Sequence, residues 1–510
     1  VALTTHAVVI STTPAEREAV AALSTGMVVG FTTPPAVGDN GRVVNESELT
    51  ERVRALRGMD RVLSALVGGP RCYLVGGAVR DLLLGREPVD IDIAVEGDAE
   101  AVASRLAEAL EGDMIVHERF GTATVVAGGV DVVNLARTRR EIYPAPGALP
   151  EVEPADLAED LDRRDFTVNA IALDLTAFAA AGESTGRSRG VTKVALVDPH
   201  GGRGDLDSGL IRVLHLASFS DDPTRLLRAA RYAARLGFAL ESDTERWARA
   251  AIAGGAPTTV SGPRIRDELI DLLTEDEAPH AVELLRDLGL DRALHPALRA
   301  DPELIASAKL GAAETGADPA LAGLAALAVG ARPAPPARPA REGAAARGGG
   351  AAPDEAGKRG AAAARAWEAT EAEVSLAEVP LVAWIDRLGL ASGERDAVLR
   401  AAARAPELVD ALRREPRPSE LRALLDGEPP EALALALALG APAEPILDFV
   451  SRLSMIRLEI TGADLLAAGL PESPALGRAL DATLARKLDG EVDGRDDELR
   501  VALSIARESP

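Results

Sequence analysis

The stretch LVGGAVRDLLLGREPVDIDI (residues 74–93) carries the reading of the fold. Its apolar start, with Cys72 and Tyr73 before it, reads as a strand. Gly76-Gly77 reads as a tight turn, AVRDLLLG as a helix and DIDIAV as a second strand. On that predicted strand Asp90 and Asp92 stand two apart and share a face, while Ile91 and Ile93 turn to the core. Two adjacent carboxylates repel unless a cation sits between them. Oxygen ligands without His or Cys suit Mg2+. A pair of such ions about 3.5–4 Å apart can activate a hydroxyl and hold a triphosphate. Gly76 and Gly77 let the backbone approach a ligand, and the helix behind them offers free amides to phosphate. A lone DxD pair or GG turn is common on surfaces. The strand–GG–helix–strand order is what joins them into one site.

Around this segment lies a chain of 510 residues, long enough for three or four domains. Aromatics are only 3%, so its cores must be built from Ala, Leu and Val. With 56 basic and 80 acidic residues the net charge is −24, which argues against coating nucleic acid by charge alone. A local basic groove is still compatible with it. The single Cys72 excludes an internal disulfide framework and a multi-cysteine zinc site. There is no apolar run of membrane-span length and no basic-then-apolar leader at the start. The expectation is a cytoplasmic enzyme with no membrane partner.

Residues 1–58 read as an N-terminal extension without an assigned role, with a helix beginning over 46–56. Short β-rich runs alternate with helical patterns over 59–205, including a hairpin that turns at Gly128-Gly129. Helical periodicity then holds through a neck (206–270) and a body (271–330). Ser261-Gly-Pro263 marks a helix start inside the neck. Residues 331–366 are Ala/Pro/Gly-rich, with seven basic and three acidic residues, and read as a disordered, mildly basic linker. The tail, 367–510, is helical again, and its ALALALALG run is assigned to helix on propensity.

LVGGAVRDLLLG and VDIDIAV together resemble the signature of the polymerase-β-like nucleotidyltransferases. The resemblance is to the class II tRNA nucleotidyltransferase (CCA-adding) and bacterial poly(A) polymerase family. It covers about 71–296 and, more weakly, 458–492. It implies an α+β head, a small mixed sheet with helices, followed by an all-helical neck, body and tail. It also implies that Asp90 and Asp92 bind catalytic Mg2+, that Gly77 and Arg80 contact the nucleotide, and that Asp81 holds Arg80. Asp131, on a neighbouring predicted strand, is either a third catalytic carboxylate or a plain strand-edge acid.

Three further motifs belong to the same resemblance. Arg163-Arg164-Asp165, within RRDFTVNA, matches a segment linked to telling ribose from deoxyribose. A guanidinium can hold phosphate and ribose oxygens bidentately, and Asn169 can cap the following turn. The Asp198–Leu206 segment reads as a glycine-rich structural junction, with His200 bound in the turn. DDPTRLLRAAR (221–231) resembles a base-selecting motif on a helix that begins near Asp222. Asp222 and Arg225, three apart, share a face. One can accept from the amino group of cytosine or adenine while the other donates to the ring nitrogen; guanine and uracil present the opposite pattern. Arg228 and Arg231 continue the stripe toward phosphates, the alternative being a capped helix with salt bridges.

The resemblance implies nucleotidyl transfer from CTP and ATP to a tRNA 3′ end with release of pyrophosphate. Enzymes that add only CC or only A, poly(A) polymerases and a non-catalytic RNA-binding relative are the alternatives. Intact Asp90, Asp92 and Arg80 speak against the last. Which nucleotides are added, and the oligomeric state, stay open.

Overall fold

A computed structural model of the chain describes residues 43–117, 121–128, 132–183, 193–329 and 380–508. Asp131, residues 1–42 and the 331–366 segment lie outside these residues. The described residues divide into two compact units, 43–294 and 295–508.

The first unit contains residues 74–93. Helices α1 (Glu46–Ala55) and α2 (Met59–Leu66) lead into β1 (Arg71–Val75), α3 (Gly77–Leu83) and β2 (Ile91–Glu96). Then come α4 (Ala99–Leu110), β3 (Asp113–His117), β4 (Thr122–Val126) and β5 (Val133–Arg137). A hairpin of β6 (Arg139–Ile142) and β7 (Glu151–Pro154) precedes α5 (Leu157–Asp162). The sheet is completed by β8 (Ala172–Asp174) and, beyond α6 (Leu175–Glu183), by β9 (Ala195–Val197). Its order is β3-β4-β5-β2-β1-β8-β9. Within this sheet β2 and β5 run parallel and the other described pairs are antiparallel. β4 and β5 pair antiparallel, as the predicted hairpin requires, while Gly129 of its turn lies outside the described residues.

Alternation along β2 decides what each face does. Ile91, Ile93 and Val95 are at most 1% exposed, and α4 packs on the sheet with buried Val102, Leu106 and Leu110. On the other face Ala94 joins Tyr73, Val75, Ala172 and the α5 residues Leu157 and Leu161. Asp92 emerges on that second face, just beyond the end of this apolar cluster. Asp90 lies one residue before β2, on its exposed lip, so the predicted strand begins a residue later than expected.

Residues 43–58 belong to this unit and are no separate extension: the Val44 amide donates to the Leu83 carbonyl, and the Val194 amide donates to Thr50 Oγ1. The Asp198 carboxylate caps α7 (Gly202–Ser208) by accepting from the Gly202 and Arg203 amides. Position 202 must be glycine, since a Cβ there would sit 2.1 Å from the Thr167 carbonyl oxygen. His200 Nε2 meets Asp162 Oδ1 at 2.8 Å, as a turn-bound side chain. Next follow α8 (Ser218–Asp221), α9 (Thr224–Leu236), α10 (Ser242–Ala253) and α11 (Gly262–Thr274). Helices α12 (Ala278–Leu288) and α13 (Leu290–Leu294) end the unit. The expected boundaries at 206 and 271 both fall inside helices, and the division lies at 294/295 instead. Ser261 precedes α11 without a side-chain cap, and Pro263 stands in its first turn.

The described part of the second unit is helical. Here α14 (Pro302–Thr315) crosses a helix at Pro430–Ala438, the predicted ALALALALG helix. Alanine and glycine set the spacing: a Cβ on Gly311 would lie 2.6 Å from the Ala434 carbonyl oxygen. Ala312, Ala322 and Ala434 form the seam. This is how a chain poor in aromatics closes a core. Further along, Ile460, Leu465, Leu476 and Ala502 pack together. Fully buried Glu498 accepts from the Glu459 and Ile460 amides and pairs with Lys487 at 2.5 Å. Among the described residues no helix is long and apolar enough to cross a membrane.

Candidate active site

A cavity of about 340 Å3 opens on the Asp92 face of the sheet. Its floor is β2, β4 and β5, and its far wall carries Asp160, Arg163 and Arg164. Asp92 is half-buried; burial, followed by the charge of nearby Asp90, pushes its carboxyl up, against the hydrogen bond from Asn134 and the charge of Arg164. Asp90 and Asp92 thus repel as expected from their spacing. Among the described residues no three His, Cys, Asp or Glu side chains group as metal ligands. Two carboxylates with oxygen-only chemistry still suit a hard divalent cation whose remaining ligands are phosphate oxygens and water. Asp90 and Asp92 are the residues that would hold it.

The far wall is built on one buried acid. Asp160, 1% exposed, accepts from Arg163 Nε at 2.9 Å and Nη2 at 2.8 Å, and from Arg164 Nη2 at 3.0 Å. Burial alone would raise its carboxyl, but the two guanidiniums outweigh burial and hold it below the usual carboxylate range. Arg163 also meets Glu141 at 3.0 Å, and Glu141 accepts from Tyr143 Oη at 2.9 Å. Burial, with the Glu141 charge beside it, pushes the Tyr143 phenol up to about 12. Arg164 Nη1 reaches the Asn169 carbonyl at 3.3 Å and lies against Gly76. Gly76 has φ +70 and ψ −134, a conformation reserved for glycine, and a Cβ there would stand 2.9 Å from that guanidinium. The Gly76-Gly77 turn and the Arg163-Arg164 pair, 87 residues apart in sequence from Gly77 to Arg164, therefore meet on one wall.

Behind this wall lies a second, drier network. Arg80 is 3% exposed; its Nε donates to Asp81 at 2.9 Å and its Nη1 to Asn169 Oδ1 at 2.8 Å. Asp81 holds Arg80, as expected, but the same bonds place Arg80 as a buried strut and not at the cavity lining. In place of the expected turn cap, the Asn169 side chain links Arg80 to Asp165: its Nδ2 donates to Asp165 Oδ1 at 3.1 Å. Asp165 in turn meets Arg228 at 2.5 Å, and although burial raises its carboxyl, Arg228 first among its partners brings it below the ordinary range. Arg80 and Arg231 both lie over the Tyr232 ring, each 5.3 Å from its centre. Head and neck are thus joined through a chain of charge-assisted bonds.

The base-selecting segment departs from the expected geometry. The helix begins at Thr224, with Pro223 before it and Asp222 closing α8. Asp222 and Arg225 do not pair with each other. The Asp222 carboxylate accepts from Thr224 Oγ1 at 2.7 Å and from Arg264 at 2.7 Å. Arg225, 4% exposed, donates to Ser218 Oγ at 2.5 Å and to the Arg163 carbonyl at 2.8 Å. Arg231 does not continue a phosphate stripe: Glu268 and Asp271 on α11 bind it at 3.2 and 2.9 Å. An i, i+3 spacing places residues on one side of a helix, but here the first of the two lies before the helix starts, so the rule does not apply. Asn134, Thr124, Asp160, Glu141, Ser218 and Arg264 all serve the site without having been singled out from sequence. For Asn134 the signal was its even spacing from Ala136 on a strand whose odd positions, Val133 and Leu135, are core.

Comparison with known proteins agrees with this fold. Residues 72–212 match the family described as the poly A polymerase head domain, and 237–301 match a probable RNA- and SrmB-binding site of polymerase A. An A-adding tRNA nucleotidyltransferase of Geobacter sulfurreducens is 34% identical over 85% of this chain and 45% of its own. Another from Aquifex aeolicus is 42% identical over 42% of this chain and 24% of its own. The chain thus spans less than half the length of these two curated relatives. A solved CCA-adding enzyme in an apo form superposes with a TM-score of 0.67 at 27% identity, over 91% of this chain and 99% of that one. With Asp92 and the arginine wall lining one cleft and Gly76 against Arg164, the chain belongs to the class II tRNA nucleotidyltransferase (CCA-adding) and bacterial poly(A) polymerase family of polymerase-β-like nucleotidyltransferases.

Proposed function

We propose that this protein transfers nucleotides from CTP and ATP to the 3′ end of tRNA, releasing pyrophosphate. The observation that carries the reading is the cleft itself, with Asp92 on its floor opposite Arg163 and Arg164. Asp90 and Asp92 would hold Mg2+, which, when bound, lowers the pKa of the attacking hydroxyl and neutralises charge on the triphosphate. Arg163 and Arg164 are held at fixed orientation by Asp160, and their remaining N–H edges suit phosphate oxygens and a ribose hydroxyl. Arg225 gives N–H donors to Ser218 and Arg163, which fixes its guanidinium; its remaining donors, with Asp222, would read the base. Relatives support tRNA as the acceptor: a CCA-adding enzyme of Thermotoga maritima solved with tRNA_CCA superposes at a TM-score of 0.62 and 25% identity, covering 91% of this chain and 99% of that one. Addition of A alone is the second reading, favoured because the Geobacter relative, aligned over 85% of this chain, is an A-adding enzyme. Transcripts ending before CCA, after C and after CC, each incubated with single nucleotides and sequenced at the 3′ end, separate the two. Extension of all three supports CCA addition; extension only of the CC-ended one, only with ATP, supports A addition.

A further inference from the structure

Three polar side chains stand side by side on adjacent strands of the cleft floor. Thr124 on β4, Asn134 on β5 and Asp92 on β2 are direct cross-strand partners, and all three line the cavity. Asn134 Nδ2 donates to Asp92 Oδ1 at 3.2 Å, and Thr124 Oγ1 donates to Asn134 Oδ1 at 3.1 Å. The direction of this ladder follows from chemistry. An ionised carboxylate only accepts, so the amide nitrogen must face Asp92, and the amide oxygen then faces the Thr124 hydroxyl. We propose that Asn134 is a positioning residue for the metal-binding carboxylate of Asp92, with Thr124 fixing the orientation of its amide. The proposal rests on the nucleotidyltransferase reading above.

Two further observations support it. The residue one step before Val133, the partner of Ile91, is Val132, which is 37% exposed and whose carbonyl accepts from the Ile91 amide at 3.0 Å. That strand therefore offers an apolar group near Asp90 and an amide at Asp92. A neutral donor suits the second place: it ties down one oxygen of Asp92 without adding a third negative charge to a pair that already repels. Groups that hydrogen-bond a metal-ligating side chain restrict its rotation and commonly govern affinity for the ion.

Direct binding of Mn2+ to the full chain, followed by electron paramagnetic resonance, tests this without relying on turnover. Asp92→Asn serves as the reference for loss of the site. Asn134→Ala should weaken Mn2+ binding on the order of tenfold and lower kcat, while KM for tRNA stays as in the wild type. Thr124→Val should shift Mn2+ binding in the same direction by less, and it carries the test if the alanine variant does not fold. Asn134→Asp cannot donate to Asp92; it should bind Mn2+ at least as well as wild type and still transfer slowly. Unchanged Mn2+ binding in Asn134→Ala, or full turnover in Asn134→Asp, overturns the proposal. A wild-type chain that binds Mn2+ through Asp92 yet extends no RNA would overturn the activity reading instead, and the Mn2+ comparison would still decide the role of Asn134.

Discussion

Arg228→Ala probes the link between head and neck. Arg228 meets Asp165 at 2.5 Å, and Asp165 is 5% exposed. Removing one partner of a buried pair costs about 3–5 kcal/mol, mostly because the other charge is left buried. The Arg228 side chain keeps 31% exposure, so water already screens part of the interaction; about 2–3 kcal/mol is the discounted expectation. For a unit of this size that lowers Tm by roughly 4–12 °C. The pH dependence separates this mechanism from simple loss of packing. In the wild type the folded-state carboxyl of Asp165 lies below its unfolded value, so its contribution is present at neutral pH and is lost as pH falls through that depressed folded value. Without Arg228, burial dominates and the carboxyl rises above its unfolded value. The variant is then penalised at neutral pH and relieved as Asp165 takes up a proton on acidification. Thermal melts of wild type and variant at pH 7 and near pH 4.5 should show the gap in Tm narrowing at the lower pH. A gap that is the same at both values refutes the electrostatic argument.

Other perturbations read other parts of the site. Gly76→Ala should cost about 1–3 kcal/mol through its backbone conformation and displace Arg164, so chemical denaturation should detect the loss and KM for the nucleotide should rise. Arg225→Ala should change which nucleotide is used as well as how fast, costing roughly 1–3 kcal/mol of discrimination by analogy with bidentate base readout; four-nucleotide competition on one tRNA measures it, and a proportional drop for every nucleotide counts against base selection. Gly311→Val should destabilise the second unit by about 1–3 kcal/mol through overpacking against Ala434, visible in urea unfolding.

Where local chemistry decides structure, the sequence was legible. The turn at Gly76, the alternation Ile91–Asp92–Ile93 and the helical tail all follow from backbone freedom, strand period and propensity. The hold of Asp81 on Arg80 was also readable, because the two are neighbours in the chain. What escaped were partners brought together over distance. Arg80 meets Asn169 across 89 positions and Asp222 meets Arg264 across 42, and no spacing rule reports such pairs. Arg231 looked like a phosphate ligand because Glu268 and Asp271, which bind it, come from α11. Asp160 sat within an acidic run, LAEDLD, and only the fold reveals that it is the buried acid anchoring both wall arginines.

Asp90 and Asp92 are proposed above to carry nucleotidyl transfer to RNA. The most direct test is single-turnover extension of CC-ended tRNA with ATP and Mg2+ by the wild type, Asp90→Ala and Asp92→Ala, with tRNA binding and thermal stability measured on the same preparations. The expected result is extension by the wild type, none by either variant, and near-native tRNA binding and melting in both. Wild-type turnover in either variant would contradict it.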